Sequence, residues 1–143
     1  MEIRPYLRSP HFYETDGMNI VHHANYIHWM EEARVDFMSQ MGFGYDRTVE
    51  EGIDLALVSL SCHYCSMTRF GETVRIQLSI DRLTPARVTV SYRMEDAATG
   101  ELRCEAMSEH CFFSRAKGRP VALKRDLPEL YQKFQALCKQ QKE

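Results

Sequence analysis

The residues of this chain best suited to chemistry lie between His11 and Arg34, a segment that holds the carboxylate of Asp16 near its start. A strand is expected to end just before Asp16, a turn of small and polar residues to follow, and a helix to open about seven residues later. Such a connection directs the carboxylate and the unpaired N–H groups of the helix start towards one point. A group that delivers water, set beside donors that hold a developing oxyanion, is what acyl-transfer hydrolysis needs. Asp16 is therefore the candidate reagent.

One long helix is the main element that must position this carboxylate. The first strand is expected over Tyr6 to Glu14, the turn over Gly17 to Asn19, and the helix from between His23 and Asn25 to about Met41. The glycines that follow Met41 supply the stop signal. Apolar residues of the helix recur every three or four positions, which predicts one buried face. They are Tyr26, Trp29, Met30, Ala33, Phe37 and Met41.

Four further strands and a closing helix are predicted after a polar loop from Tyr45 to Asp54. The strands are an apolar run from Leu55 toward Met67, two alternating segments around Val74–Asp81 and Arg87–Met94, and a last strand from Leu102 to Ser114. The amphipathic C-terminal helix takes Asp126 as its N-cap and Pro128 into its first turn. The expected fold class is α+β: one long helix wrapped by a five-stranded antiparallel sheet, plus a C-terminal helix, in a single domain over residues 1–143.

Composition and charge exclude several functional classes. The chain has 143 residues with 18 basic and 20 acidic side chains, a formal net charge of -2, and no basic block. The electrostatic footprint of nucleic-acid binding is therefore missing. The longest apolar runs are too short to span a bilayer, and the N-terminus has no apolar signal region. We expect a cytoplasmic protein with neither a membrane span nor a nucleic-acid partner.

The five cysteines predict neither a disulfide framework nor a metal site. An odd number of cysteines without a signal peptide argues against disulfides. Cys62 and Cys65 have the spacing of a metal-binding pair, but they lie in a β-patterned run, where residues three apart point to opposite faces. No second pair completes a four-ligand set. Packed thiols are the expected outcome.

A longer motif runs through the segment that holds Asp16. It reads Asp16-x-x-Asn19-Ile20-Val21-x-x-x-Asn25-Tyr26-x-x-Trp29, followed by Glu32-Ala33-Arg34. This motif resembles that of the hotdog-fold 4-hydroxybenzoyl-CoA thioesterase family, and most closely the small bacterial acyl-CoA thioesterases of that family. The order and lengths of the predicted elements extend the resemblance over nearly the whole chain. Arg69-Phe70-Gly71-Glu72 matches more loosely.

The resemblance implies an enzyme that hydrolyses an acyl-CoA, or an acyl carrier protein thioester, without a cofactor or a metal. It implies a homodimer or a dimer-of-dimers tetramer with active sites at the subunit interface. The Asp at the position of Asp16 acts on the thioester carbonyl as nucleophile or through a water, and the backbone N–H of His23 polarises the carbonyl oxygen. Arg87, Lys117 and Arg119 loosely fit positions that bind the nucleotide phosphates of CoA by charge-assisted hydrogen bonds, with plain solvated charge as the alternative for each.

Two positions depart from the family pattern. The family usually has Gly where this chain has Asn19, and that Gly would supply a turn with positive φ. Asn is among the side chains best able to adopt left-handed geometry, so the turn is expected to survive. A Tyr often found four residues before the Asp is Phe12 here, which removes any role for a hydroxyl at that point.

Four further residues of the motif region are candidates for substrate binding, each with an ordinary alternative. His22 could instead hydrogen-bond within an interfacial loop, and its ring is expected to diverge from that of His23. Asn25 could cap the helix or orient the catalytic loop. Tyr26 and Trp29 lie on the apolar helix face, where packing is the commoner role.

Two other functions remain open from the sequence. A non-catalytic acyl-CoA sensor would keep the binding tunnel and lose the reagent, whereas Asp16 is present. A hotdog dehydratase that acts on 3-hydroxyacyl thioesters would carry a Gly-His-Phe-Pro string before the helix. This chain does not contain that string. Thioester hydrolysis is therefore the favoured interpretation.

Overall fold

A computed structural model describes residues 2–138, which form one antiparallel sheet and four α-helices. The helices are α1 (His23–Gln40), α2 (Tyr45–Glu51), α3 (Leu123–Asp126) and α4 (Pro128–Leu137), and a 3₁₀ turn covers Phe12–Glu14. The strands are β1 (Tyr6–Arg8), β2 (Ile53–Tyr64), β3 (Val74–Leu83), β4 (Arg87–Asp96), β5 (Leu102–Ser114) and β6 (Arg119–Val121). The predicted α+β class is confirmed. Within residues 2–138, no helix combines the length and apolarity needed to cross a bilayer.

The sheet has the strand order β1-β3-β4-β5-β2, and every neighbouring pair is antiparallel. β6 pairs with the last residues of β5, so the sheet has six strands instead of the predicted five. β6 was not predicted as a separate strand, because it is only three residues long. β2 pairs with β5 along one side and lies at the end of the strand order, so it forms an edge of the sheet.

The buried face of α1 packs on the inner face of the sheet and forms the core. All six residues of the predicted apolar face are buried, and Trp29 is fully buried. They face the alternating buried residues of β3 and β4, such as Val74, Ile76, Val90 and Met94. Complete burial of each large apolar side chain contributes about 1.5–3 kcal/mol, so this interface fixes α1 firmly on the sheet.

Two predictions in the first half of the chain are wrong. The first strand stops at Arg8, because Pro10 has no N–H to donate and the chain then turns through the 3₁₀ segment Phe12–Glu14. The predicted polar loop after α1 contains α2, which begins after Gly44 and ends at Gly52 in the left-handed conformation, with φ 71°. Its short, polar sequence lacks the apolar periodicity by which helices are identified.

The C-terminal helix is confirmed, but its predicted cap is wrong. Pro128 lies in the first turn of α4, as expected, whereas Leu127 is the N-cap and makes no side-chain cap hydrogen bond. Asp126 instead ends α3 and accepts a hydrogen bond from the Arg125 side chain. The expectation failed because a separate short helix precedes α4, and Asp126 belongs to it.

Candidate active site

Asp16 lies in a closed turn that returns the chain to the start of α1. The Asp16 N–H donates to the Ile20 carbonyl oxygen at 2.8 Å, and Thr15 pairs with Val21 in an antiparallel bridge. Asn19 has φ 66°, the only positive value at a non-glycine residue between residues 2 and 138. The expectation that Asn could adopt the turn conformation of the family's Gly is therefore confirmed. The turn brings Asp16 back beside the helix that begins seven residues later.

The Asp16 residue is half-buried, and its carboxylate accepts a single hydrogen bond from the described residues. Its Oδ1 accepts a hydrogen bond from the Met18 N–H at 2.8 Å, which fixes the side chain on the turn. No basic side chain of residues 2–138 lies within ion-pair distance, and no donor in this part of the chain reaches Oδ2. Gly17, Met18 and Asn19 beside it are exposed. One carboxylate oxygen of Asp16 therefore has no hydrogen-bond partner among the described residues.

The first turn of α1, which follows the turn that carries Asp16, presents a main-chain donor. His22 is the N-cap, and its Nδ1 accepts from the Ala24 N–H at 3.1 Å. The Asn25 N–H donates to the His22 carbonyl oxygen at 3.0 Å. The N–H of His23, the first helical residue, has no acceptor one turn earlier in the helix, and the positive end of the helix dipole lies behind it. His23 thus offers the unpaired N–H on which the sequence prediction rests.

The histidine side chains do not diverge as expected. The rings of His22 and His23 stack with centroids 4.2 Å apart. Because Nδ1 of His22 is an acceptor, the neutral ring carries its proton on Nε2. Both histidines are exposed at the start of α1. The turn closed by the Thr15–Val21 bridge leads directly into these two residues.

The other motif residues support the site from beneath. Asn25 does not cap the helix; its Nδ2 donates to the Glu14 carbonyl oxygen at 2.8 Å, which ties α1 to the segment before Asp16. The Tyr26 hydroxyl donates to Thr68 Oγ1 at 3.0 Å, and Trp29 Nε1 donates to Glu14 Oε2 at 3.0 Å. Tyr26 and Trp29 are buried, so the structure matches the packing alternative for both.

Two supporting residues were missed at the sequence level, Glu14 and Tyr64. Tyr64 ends β2, and its hydroxyl donates to the His23 carbonyl oxygen at 3.1 Å. Burial raises the pKa of Tyr64 to about 12, so the hydroxyl remains a donor at neutral pH. Sequence patterning could not connect Tyr64 with His23, because 41 residues separate them. The contact places the end of the edge strand β2 against the start of α1.

The turn that carries Asp16 lies at one end of the sheet. Ile20 forms a bridge with Arg69, and the Val21 N–H donates to the Thr68 carbonyl oxygen at 2.8 Å. Both partners belong to the loop that leads into β3, whose first residue pairs with Asp96, the last residue of β4. Asp16 is therefore near the end of β4.

The three basic candidates lie at the opposite end of the sheet. Arg87 is the first residue of β4, and Lys117 and Arg119 lie at the turn between β5 and β6. The length of β4 separates the two ends by about 30 Å. Arg87 pairs with Glu109 at 2.8 Å, and Lys117 with Asp126 at 3.4 Å. A single chain does not bring these side chains together with Asp16.

Metal ligands do not assemble in the part of the chain that the structure describes. No group of three or more His, Cys, Asp or Glu side chains in residues 2–138 is arranged to hold an ion. The five cysteines are free thiols. Cys62 is half-buried beside Met30, with its Sγ 3.8 Å from the Met30 Sδ, and Cys65 is exposed.

Comparison with known proteins identifies the family. The sequence model of the thioesterase-like superfamily matches residues 10–134. The chain belongs to this superfamily. A relative from Aquifex aeolicus (strain VF5) is 32% identical over 114 residues, covering 78% of this chain and 86% of the relative.

Two further members of the superfamily have names that state a substrate. The 1,4-dihydroxy-2-naphthoyl-CoA hydrolase of Thermosynechococcus vestitus (strain NIES-2133 / IAM M-273 / BP-1) is 22% identical over 127 residues, covering 88% of this chain and 86% of that protein. The crystal structure of DHNA-CoA thioesterase from Staphylococcus aureus superposes with a TM-score of 0.86 at 24% identity, covering 93% of this chain and 89% of that chain. The predicted hotdog fold is confirmed by the family match and by this superposition.

Proposed function

We propose that the chain hydrolyses acyl-CoA thioesters with Asp16 as the reagent. The observation that carries this proposal is the state of the Asp16 carboxylate. It is half-buried, has no ion-pair partner within residues 2–138, and is joined by a closed turn to the first residues of α1. A carboxylate that is not held in a structural ion pair is available to act on a substrate.

Two chemical routes fit this geometry, and both remain open. In one, Asp16 takes a proton from water as the water oxygen bonds to the thioester carbon. The C–S bond then breaks, and the CoA thiolate leaves and takes up a proton. In the other, a carboxylate oxygen of Asp16 bonds to that carbon and expels the thiolate, and water then cleaves the mixed anhydride. In both routes the His23 N–H donates to the carbonyl oxygen as its negative charge grows, a contact whose loss typically costs ~10²- to 10³-fold in turnover.

The remaining motif residues have graded roles in the proposal. We assign His22 to substrate contact, since its ring is exposed at the start of α1, next to His23. Asn25 orients the catalytic loop through its bond to the Glu14 carbonyl oxygen. Tyr26 and Trp29 pack in the core beneath the proposed site. Their hydrogen bonds to Thr68 and Glu14 hold α1 in place.

The complete site is proposed to need a second copy of the chain. β2 is an edge strand with exposed apolar residues, among them Leu57 and Val58. Antiparallel pairing of β2 with β2 of a second copy places the Ile53 end of one strand beside the Tyr64 end of the other. Tyr64 touches His23, so the far end of one sheet then approaches the Asp16 site of its partner.

In this dimer the basic residues can bind substrate at the site, which they cannot do within a single chain. Arg87, Lys117 and Arg119 of one copy then lie towards the Asp16 of the other, where they bind the phosphates of CoA. A cavity of about 180 Å³ between α1, α2 and β2, with Val35 and Leu55 in its wall, lies at the same end and accommodates part of the acyl group. The dimer, or a tetramer of two such dimers, acts in the cytoplasm, where acyl-CoA is the substrate.

The names of the relatives include an aromatic acyl-CoA hydrolase, and both aromatic and aliphatic acyl groups belong in the substrate panel. The competing function, an acyl-CoA sensor, predicts saturable binding without release of thiol. Measurement of free thiol with a panel of acyl-CoA esters distinguishes the two functions.

Replacement of the reagent tests the site directly. We expect Asp16→Asn to fold normally, because Asn Oδ1 still accepts the Met18 N–H, and to lower kcat by about 10²- to 10⁴-fold. Thiol release measures the rate, and thermal unfolding measures the fold. The matched control is Glu105→Gln, an exposed carboxylate on β5 that pairs with Arg93 and is expected to keep the wild-type rate. An unchanged rate in Asp16→Asn rejects the assignment of Asp16.

Single-turnover hydrolysis in ¹⁸O-labelled water tests for the anhydride that water opens at the Asp16 carboxyl carbon. Label in the carboxyl group of Asp16 excludes the pure general-base route, because only cleavage of an anhydride places solvent oxygen there. Label confined to the released acid under enzyme excess is the result expected both for water activation by Asp16 and for an anhydride that water opens at its acyl carbon.

A further inference from the structure

Glu14, two residues before Asp16, is the most heavily hydrogen-bonded carboxylate near the candidate site. Only 4% of its surface is exposed. Its Oε1 accepts from Arg8 Nη1 at 2.8 Å and from the His11 N–H at 2.7 Å. Its Oε2 accepts from Arg8 Nη2 at 2.9 Å and from Trp29 Nε1 at 3.0 Å. Four donors from three directions therefore hold one carboxylate.

The main chain of Glu14 also contacts the start of α1. Its carbonyl oxygen accepts from the His22 N–H at 2.9 Å and from Asn25 Nδ2 at 2.8 Å. Trp29, which reaches the Glu14 carboxylate, lies on the next turns of the same helix. Glu14 thus binds α1 at three points, one on each side of His23 and one further along.

The electrostatics of this contact favour a charged and rigid Glu14. Burial by itself raises the pKa of Glu14, but the hydrogen bonds from His11, Arg8 and Trp29 outweigh burial and bring the pKa below its usual value. Arg8 also pairs with Glu32 of α1 at 2.8 Å, so the guanidinium bridges two acids. A buried carboxylate with fully paired oxygens resists displacement, because any movement leaves a buried donor unsatisfied.

We propose that Glu14 is a positioning residue that fixes the spacing between the Asp16 carboxylate and the His23 N–H. The segment from Glu14 to His22 is closed internally by the turn around Asn19 and the Thr15–Val21 bridge, and a further contact anchors its two ends to α1. Glu14 supplies that contact with its side chain on one face and its carbonyl oxygen on the other. This inference rests on the proposed function, since it assigns Glu14 to the geometry of that same site.

Replacement of Glu14 by Gln tests the proposal. Gln keeps the volume of Glu but presents an NH₂ group to donors that need an acceptor. The set of contacts that Glu14 makes, here called the Glu14 clamp, therefore loosens. A displacement of about 1 Å between reacting groups can cost about 100-fold in rate, so we expect kcat to fall by about 10- to 100-fold. KM is expected to change by less than about threefold, since Glu14 makes no contact with substrate. Trp29→Phe, which removes one donor to the same carboxylate, is expected to lower kcat in the same direction.

Glu32→Gln is the matched control. It removes the second carboxylate on Arg8 without touching the contacts of Glu14, and its kcat is expected to stay within about twofold of the wild type. Amide hydrogen exchange supplies a readout other than activity. Exchange should rise at least tenfold in residues 16–25 of Glu14→Gln, with little change in β4, and should stay unchanged in Glu32→Gln.

The outcomes separate this inference from the proposed function. Absence of thiol release by the wild-type protein overturns the function and leaves the exchange experiment to decide the clamp. Wild-type hydrolysis with an unchanged kcat in both Glu14→Gln and Trp29→Phe overturns the clamp alone. Equal losses of kcat in Glu14→Gln and Glu32→Gln, or a uniform rise in exchange over the chain, show a general structural role and also overturn it.

Discussion

Glu14 and Asp16 are two carboxylates, two residues apart, in opposite environments. Glu14 is buried and paired with Arg8 on both oxygens, whereas Asp16 is half-buried and accepts a single hydrogen bond on Oδ1. Glu14 ends the 3₁₀ segment and contacts Trp29 of α1, whereas Asp16 lies in the turn that follows, beside exposed residues. A fully paired acid is suited to holding structure and an unpaired acid to chemistry, and the proposed roles follow this division.

A chain of side-chain hydrogen bonds runs from Arg34 of α1 to the buried residue His110. Arg34 Nη1 donates to the Tyr92 hydroxyl at 2.9 Å, which bonds to Ser108 Oγ at 2.6 Å, and Ser108 bonds to His110 Nε2 at 2.8 Å. His110 is 1% exposed, and its Nδ1 has no hydrogen-bond partner among the described residues. Burial, and then the positive charge of Arg34, lower the pKa of His110 to about 4.

This histidine makes stability depend on pH. The pKa of His110 is about 4 in the folded chain and about 6.5 in the unfolded chain, so the unfolded state binds more protons between these values. The free energy of unfolding is therefore expected to fall by about 3 kcal/mol as the pH drops from 6.5 to 4, with no loss from this group above pH 7. Urea unfolding across that range measures the slope.

His110→Gln supplies the comparison. Gln can still bond to Ser108 but does not titrate, so the slope between pH 6.5 and 4.5 is expected to flatten, whatever the absolute stability of the variant. Retention of the full slope in His110→Gln contradicts the assignment of the pH dependence to His110. Paired carboxylates such as Glu14 and Asp54, whose pKa values are lowered, add their own loss at still lower pH.

At the scale of elements, α1 combines the core with the site. Its buried face fixes the helix on the sheet, and its first turn carries the His22 cap and the His23 N–H. The helix is held at its start by contacts from Glu14 and Tyr64. The element that carries the proposed oxyanion donor is thus held both by its buried face and by contacts at its start.

The C-terminal helix closes the opposite end of the core. Phe134 of α4 is 1% exposed, and its ring stacks on that of Phe112 in β5 with centroids 6.4 Å apart. We expect Phe134→Ala to lower the free energy of unfolding by about 3–5 kcal/mol, since it removes a large side chain and leaves a cavity. Gln132→Ala, on the exposed side of α4, is expected to change it by less than about 0.5 kcal/mol. The urea midpoints of both variants measure the difference, and equal midpoints refute a core role for α4.

At the scale of the whole molecule, the candidate residues form two groups at opposite ends of one sheet. Asp16, His22 and His23 are at one end, and the basic residues around Arg87 are at the other. A CoA thioester is long enough to need both a reagent and a phosphate site, and the proposed pairing of two copies through β2 would bring these two groups together. The oligomer therefore belongs to the proposed catalytic unit.

Disruption of the β2 edge tests this dimer. Leu57→Asp places a charge on the exposed edge, and we expect monomers in light-scattering chromatography and a loss of most thiol release. Leu7→Asp places the same charge on β1, at the other edge, where the side chain is similarly exposed. The β1 variant is expected to keep the wild-type mass and rate. An active monomer of Leu57→Asp refutes the shared site.

Complementation tests the sharing of residues between copies. Asp16→Asn and Arg87→Ala are each expected to be impaired, but a mixed dimer contains one site with both intact residues. Random mixing of equal amounts should then restore about a quarter of the wild-type rate, since half of the dimers are mixed and each has one complete site. No recovery after exchange of subunits would place Arg87 outside the site.

Several features were accessible from the sequence because they depend on local patterns. Periodicity located α1 and its buried face, alternation located β3 and β4, and the spacing from Asp16 to Trp29 gave the family. The conformational tolerance of Asn predicted the left-handed turn at Asn19, which the structure contains. The short elements α2 and β6 were missed because seven and three residues are too few for periodicity to emerge from composition.

Only the tertiary structure decided which residues support Asp16 and which lie far from it. The sequence by itself determined the fold class, the family and the candidate reagent, since these follow from residue types at fixed spacing along the chain. The links from Glu14 to Trp29 and from Tyr64 to His23, and the placement of Arg87 at the far end of the sheet, come from strand order and packing. These contacts join residues distant in sequence, and no local pattern encodes them, because the sheet order that creates them is settled only when the whole core is buried.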